Sequence, residues 1–439
     1  MSFALVTSYT RPLLRPIVIP PTHSEQVSTT LRVGTPSQPW RSSTYIFNGT
    51  KDRSESAAWP PSKFGDDPAG IPSDEAYNIP YDAAKSQTGN AEAFELFAEQ
   101  TKDVKASKVP PPRLVAKRYV PTEKANCHGQ GVTLLTLTGM GVPKEASRAM
   151  FEPILEDLLP QLRRSGVKVE EIWAVDMPLS GETAKANPMG YFYANEKDIT
   201  RDLLLFITAY LPICPGGDLP KHLQPRRPTS QHRQPTRPNL HVVAHSLGAQ
   251  AAMLASVHAP TVFDSLTVID PAMIPAGKIN DAMAKLPKEV LCLGLPERFA
   301  NHSSVEKELR KNKRTRYWDE RAVEIFAQHG VMLDESGKGF RLAAHPRLEW
   351  ALYYDKQTPA ECYDRLTDIK VPFQAIMPTR PFAVPPKMFE ADVQKMKQKT
   401  EVKWLEGTTH QIVYEKMGAC TTFVIDWLTK MAGEEKARL

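Results

Sequence analysis

The sequence predicts an α/β fold, a mostly parallel sheet with helices on both faces, interrupted by a helical insertion late in the chain. Three observations carry this. From Arg113 onward, short apolar and β-branched runs alternate with longer amphipathic stretches, the order required by parallel strands joined through crossover helices. The run Leu240-His241-Val242-Val243-Ala244-His245 stops at Ser246 and passes directly into a helical pattern. Between residues 271 and 365 strand signals fade while helical stretches continue.

Residues 1–110 are rich in proline, serine and glycine with little sustained periodicity, and read as an N-terminal extension of loops, short strands or partial disorder. The core is expected over 111–270 and 366–433. Its strands are read at 113–120, 132–137, 171–176, 240–245, 265–270, 371–377 and 401–405, and Val132–Leu137 has the continuous pattern of a strand buried on both faces. An amphipathic helix spans 145–165, with Met150, Phe151, Ile154, Leu155, Leu158 and Leu162 on one face. A second spans 196–211 with Ile199, Leu203, Leu204 and Ile207 inward, a third 246–258, and a last one 414–431. The Pro/Gly/Arg-rich stretch 212–238 reads as a surface insertion without strand or helix. Residues 271–365 form a helical cap, with helices at 304–311 and 318–328, and 434–439 form a C-terminal tail.

Composition narrows the functional classes. The 439 residues carry a formal net charge of +5, with 24% charged and 41% hydrophobic residues. That balance does not point to nucleic acid or a membrane surface. No apolar run reaches the ~18 residues that a membrane-spanning helix needs. Five scattered cysteines (Cys127, Cys214, Cys292, Cys362, Cys420) form no C-x-x-C pair, which argues against a disulfide framework and a zinc site and fits a reducing compartment. No cofactor or metal is expected.

Both termini carry possible addresses. The chain ends Ala437-Arg438-Leu439, a small-basic-leucine triplet close to the S-K-L peroxisomal signal, so a peroxisomal import receptor is an expected partner. Residues 1–50 hold Arg11, Arg15, Arg32 and Arg41 against one acid, Glu25, and so also fit a mitochondrial transit peptide. Pro12, Pro16, Pro20 and Pro21 break the amphipathic helix such a signal uses. A peroxisome is the expected compartment, with mitochondrion or cytoplasm as the alternative.

The strand-Ser246-helix layout is that of a nucleophile elbow, a sharp turn that exposes the serine hydroxyl. The usual pattern is G-x-S-x-G, in which small residues let strand and helix backbones approach closely; Ala244 here replaces the first glycine. Serine needs an adjacent base, itself oriented by an acid. His410, in Leu405-Glu406-Gly407-Thr408-Thr409-His410, follows the last strand and is the candidate base. His245, beside the serine, points elsewhere at such a turn. His329 and His345 lie in the insertion. The strand at 371–377 runs into Pro378-Thr379-Arg380 with no carboxylate, so Asp270, ending the preceding strand, is the candidate acid; its rival reading is a cap on the turn at Pro271. A tetrahedral intermediate needs two backbone donors. Leu247 N–H is one and Met140 N–H, in Thr138-Gly139-Met140-Gly141, the other. Asp176, also ending a strand, reads as an organiser of loops.

These residues resemble fungal α/β-hydrolases of secondary-metabolite clusters, including the peroxisomal acyl-CoA hydrolase type of mycophenolic acid biosynthesis and hydrolases of host-selective toxin clusters. The resemblance covers about residues 113–430. It rests on Gly139-Met140-Gly141-Val142-Pro143-Lys144-Glu145, Arg201-Asp202-Leu203-Leu204-Leu205, His245-Ser246-Leu247-Gly248, Ile269-Asp270-Pro271, Tyr317-Trp318-Asp319-Glu320-Arg321-Ala322-Val323 and the loop ending at His410. It implies an α/β-hydrolase fold and a serine, aspartate and histidine at Ser246, Asp270 and His410. The family commonly has His-Gly where this chain has Thr138-Gly139, and Gly where it has Ala244.

The expectation is a serine hydrolase that cleaves an ester or thioester through an acyl-enzyme, with a small-molecule acyl substrate. The resemblance implies acyl-CoA, and Lys311, Lys313, Arg314 and Arg316 are the basic residues available for CoA phosphates. A carboxylesterase or lipase without CoA recognition, and a catalytically idle fold used for binding, are the alternatives.

Overall fold

The computed structural model describes residues 30–35, 38–50, 112–121, 131–140, 152–177, 181–186, 196–215, 219–220, 222–226, 237–279, 281–282, 294–296, 298–334, 337–343, 349, 352–353, 355, 357–381 and 384–438. Along the chain these form strands β1 (Thr30–Thr35), β2 (Gln38–Asn48), β3 (Arg113–Pro121) and β4 (Val132–Leu137), then helix α1 (Glu152–Arg164) and strand β5 (Val169–Val175). Helices α2 (Gly181–Ala186) and α3 (Glu196–Leu205) follow, α3 running into a π-helical turn, Phe206–Tyr210. Next come β6 (Leu240–His245), α4 (Ser246–His258) and β7 (Ser265–Ile269). The segment after β7 holds β8 (Arg298–Phe299), α5 (His302–Lys311), α6 (Glu320–His329), β9 (Val331–Leu333), β10 (Phe340–Leu342) and α7 (Gln357–Asp364). The chain closes with β11 (Phe373–Pro378), α8 (Pro386–Val393), β12 (Thr400–Leu405), α9 (Ile412–Glu415) and α10 (Met417–Arg438).

Nine strands make one sheet in the order β1-β2-β3-β5-β4-β6-β7-β11-β12. The six from β5 to β12 are parallel; β1, β2 and β3 are antiparallel to their neighbours. Side chains of the central strands alternate between two cores, as a two-residue period requires. Leu135, Trp173, Val175, Val242 and Phe373 pack with α3 and α4 on one face. Leu134, Ile172, Ala174, Val243 and Ile376 pack with α5, α6 and α10 on the other. Each such buried Val, Leu, Ile or Phe side chain contributes about 1.5–3 kcal/mol. This is why the central strands read as continuous apolar runs.

The chain leaves β4 toward β5 on one side and later returns to β6 on the other. The C-terminal ends of β4 and β6 are therefore a topological switch point, where open α/β sheets hold their ligands. Met140 follows β4 and Ser246 follows β6.

Several expectations change. The main sheet does not begin at 111: β2 lies within the stretch read as an extension, and pairs with β3 along its length, from Trp40↔Pro121 to Asn48↔Arg113. The 212–238 stretch, where described, docks on this added edge through the bridge Ile46↔His222 and Leu223 N–H to Ile46 O (3.2 Å). Arg226 donates to Ile207 O (3.1 Å), satisfying a carbonyl near the end of the α3 extension. The segment 271–365 is not purely helical, since β8, β10 and β9 form a second, three-stranded antiparallel sheet. The last predicted helix is two, broken at Lys416, whose φ and ψ are −140° and 53°. α10 continues to Arg438, so the residues read as a tail are helical up to the last; Glu434-Glu435-Lys436-Ala437-Arg438 are all helix formers. Leu439, Gly141 and His345 lie outside the described residues.

Candidate active site

Ser246 sits where β6 turns into α4 with φ +53°, a left-handed conformation that costs a non-glycine residue about 1–2 kcal/mol. The turn is held by close packing. Gly248 N–H donates to Thr138 O (3.1 Å), and a Cβ on Gly248 would lie 2.5 Å from that oxygen. Ala244, in register with Leu137 of β4 and Val268 of β7, is fully buried, and its methyl packs in the core on the α3 and α4 face of the sheet. The departure from glycine is thus accommodated. Gly139 is more constrained: a Cβ there would meet His245 Nδ1 at 3.0 Å and Ser246 Cβ at 3.1 Å.

Asp270 follows β7 with φ +35°, its N–H bonded to Ile376 O of β11 (3.0 Å). His410 Nδ1–H donates to Asp270 Oδ2 at 2.7 Å, and Ser246 Oγ–H donates to His410 Nε2 at 2.8 Å. A carboxylate only accepts, so Nδ1 carries the proton and Nε2 is left to accept from the serine. Asp270 and Ser246 are buried and His410 half-buried. Ala272 N–H donates to Ser246 O (3.1 Å), tying the loop after Asp270 to the elbow.

The His410 loop is fixed by groups that the sequence reading missed. Glu415 accepts from Thr409 N–H (2.8 Å) and Thr409 Oγ1–H (2.7 Å). Thr379 and Arg380, noted only for lacking a carboxylate, hold the loop instead: Gly407 N–H donates to Thr379 Oγ1 (3.0 Å) and Arg380 N–H to Thr408 O (3.1 Å). His245 is not positioned as a base. Its Nε2–H donates to His410 O (3.0 Å), its ring lies 5.1 Å from that of His410, and burial pushes its pKa down to about 3. It is a neutral strut between elbow and histidine loop. Behind it Tyr414 makes an edge contact and stacks on Trp318 at 4.5 Å. Asp176 Oδ2 accepts from Thr183 N–H (3.3 Å) of α2, the loop-ordering place expected for it.

A small cavity of about 40 Å³, partly open to solvent, borders these groups. Met140, Glu196, Ser246, Leu247, Ala272, Ile274, Tyr353, Pro359 and His410 line it. Both residues named as backbone donors, Met140 and Leu247, are on its wall, and no side chain of His245 caps the start of α4. The 271–365 segment reaches the cavity through its two ends, around Ile274 and Tyr353, whereas α5 and α6 pack on the α10 side of the sheet. Lys311, Lys313, Arg314 and Arg316 do not line it: Lys311 pairs with Glu308 (2.8 Å), Arg314 faces Glu349 (3.8 Å) and Arg316 lies over Tyr317. His329, in the last turn of α6, is also absent from its wall. Among the described residues no cluster of His, Cys, Asp and Glu forms a metal site, and no helix is long and apolar enough to cross a membrane.

The model of the alpha/beta hydrolase family matches residues 127–420, which include β4, the elbow, Asp270 and His410. The chain belongs to that family. Among solved structures, the hydrolase is similar to the peroxisomal alpha-beta-hydrolase Lpx1 from Saccharomyces cerevisiae, with 17% identity and a TM-score of 0.56 over 74% of this chain and 84% of Lpx1. It is also similar to a thioesterase domain from the curacin biosynthetic pathway (15% identity, TM-score 0.46, 71% of this chain and 95% of that one). A third is an esterase from Mycobacterium tuberculosis (15% identity, TM-score 0.46, 72% and 87%). No curated protein sequence matches the chain.

Proposed function

We propose that this hydrolase cleaves an ester or thioester through an acyl-enzyme on Ser246. The observation that carries the reading is the continuous chain Ser246 Oγ–His410–Asp270, with links of 2.8 and 2.7 Å, at the edge of a cavity on the switch point of the sheet. His410 takes the serine proton as Oγ attacks the carbonyl carbon, then returns it to the leaving group; in the second half it activates water. Asp270 holds the imidazole tautomer and stabilises the imidazolium. Leu247 N–H, at the uncapped start of α4, and Met140 N–H face the developing oxyanion, and the helix N-terminus favours the negative charge.

Met140, Leu247, Ala272, Ile274 and Pro359 make the cavity wall largely apolar, which suits the acyl chain of a small-molecule substrate. The motif resemblance to fungal secondary-metabolite hydrolases favours an acyl-CoA thioester. A simple carboxylesterase activity is the second reading, favoured by one observation: none of the four basic residues considered for CoA borders the cavity. Comparing kcat/KM for an acyl-CoA and for the ester of the same acid separates them. A preference of about tenfold or more for the thioester supports CoA recognition, and equal efficiency supports the esterase. The Ala437-Arg438-Leu439 terminus supports import into the peroxisome by its receptor; a fluorescent fusion at the N-terminus is expected to be punctate with the triplet and diffuse without it.

A further inference from the structure

Besides Ser246 and His410, two ionisable side chains among the described residues line the cavity: Tyr353 and the single carboxyl group, Glu196, the first residue of α3. It is held against the elbow helix. Gln250, one turn beyond Ser246 on α4, donates Nε2–H to Glu196 Oε2 at 2.7 Å. That bond occupies one carboxyl oxygen of a residue that also forms part of the cavity wall.

Asp355, another carboxyl group of this region, accepts from Gln357 N–H (2.9 Å), Thr358 N–H (3.1 Å) and Thr358 Oγ1–H (2.7 Å). Among the described residues Glu196 has one neutral donor, Gln250, and the adjacent Lys197 is engaged with Glu361 (3.1 Å). Burial first, and then the charge of Asp355, push the Glu196 carboxyl well above the usual carboxylate range.

We infer that Glu196 is a specificity-determining residue, a neutral carboxylic acid whose O–H is presented to the cavity beside Ser246. It selects substrates that place a neutral hydrogen-bond acceptor (a ketone, ether or hydroxyl oxygen) within the acyl chain near the scissile carbonyl. A plain alkyl chain leaves this buried donor without a partner, and an unmet buried donor is costly. This deepens the serine-hydrolase reading and rests on it.

The test uses the full-length protein and p-nitrophenyl esters: the hexanoate, and a series of oxohexanoates with the ketone walked along the chain. The wild type is expected to favour one oxohexanoate over the hexanoate by about tenfold or more in kcat/KM. Glu196→Gln keeps an N–H donor and retains most of that ratio, whereas Glu196→Leu brings it close to one. A wild-type ratio near one for every ketone position overturns the inference without any variant, as does a ratio unchanged in a folded Glu196→Leu protein. In both cases hexanoate hydrolysis that disappears in Ser246→Ala leaves the serine-hydrolase reading standing. Wild-type protein that turns over no ester or thioester overturns both.

Discussion

Gly139 gives the sharpest link between packing and rate. An alanine there places its Cβ 3.0 Å from His245 Nδ1 and 3.1 Å from Ser246 Cβ, closer than ordinary van der Waals contact. Neither neighbour is the free end of a flexible chain. Ser246 is pinned at φ +53°, and His245 by its bond to His410 O. The elbow, or the loop carrying Met140, must therefore give by a few tenths of an ångström. A misplacement of about 1 Å costs on the order of 100-fold, so a shift of this size lowers kcat by about three- to tenfold. The stability cost stays near ~1 kcal/mol, the low end for overpacking. Gly248→Ala is the contrast: its Cβ falls 2.5 Å from the Thr138 carbonyl and 2.8 Å from Leu137 Cβ, at the end of β4. That variant loses about 1–3 kcal/mol although alanine is the better helix former. Urea unfolding together with kcat on p-nitrophenyl acetate, normalised to folded protein, reads both. A Gly139→Ala enzyme with wild-type kcat, or one whose lost activity is accounted for by unfolding, refutes the reasoning.

Two further predictions concern the scaffold. Glu171, fully buried in β5, pairs with Arg118 of β3 and with Arg237 at the end of the 212–238 stretch. Glu171→Leu leaves two buried guanidinium groups without their shared anion and is expected to cost roughly 3–5 kcal/mol in urea unfolding; a loss below about 1 kcal/mol contradicts that. His241 is buried with Nδ1 2.7 Å from Ser265 Oγ, and burial lowers its pKa to about 4. Its folded value lies below its unfolded one, so the native ring stays neutral while the unfolded ring gains a proton. The contribution is complete above pH ~6.5 and lost as pH falls toward 4, roughly 3 kcal/mol in all. Unfolding midpoints between pH 7 and 4 should show this slope, reduced in His241→Asn; equal slopes contradict the assignment.

What the sequence made legible was local. The elbow is a contiguous strand-serine-helix, Asp270 ends a strand signal and His410 lies in the loop after the last one, so chain order alone suggested that they would meet. The elbow forms with Ala244 in place of glycine, its methyl buried in the core on the α3 and α4 face. What stayed hidden was non-local or brief. β2 is separated from β3 by a long stretch of chain, and only Tyr45-Ile46-Phe47 in it form a continuous apolar run. Strands β8, β9 and β10 are two or three residues long, too short for a two-residue period to register. Glu196 and Gln250 lie 54 residues apart, and nothing local marks Glu196 as more than an acidic helix start. The hydrogen bond from His245 to His410 joins positions 165 residues apart and needed the fold to be seen.

The central claim is that Ser246, activated by His410, becomes acylated. Full-length protein treated with a fluorophosphonate probe, digested and mapped by mass spectrometry tests it most directly. The account predicts one stoichiometric adduct on the peptide containing Ser246, absent in Ser246→Ala and formed at least about 100-fold more slowly in His410→Gln. A folded wild-type protein that takes up no probe, or that carries it on a residue other than Ser246, contradicts the account.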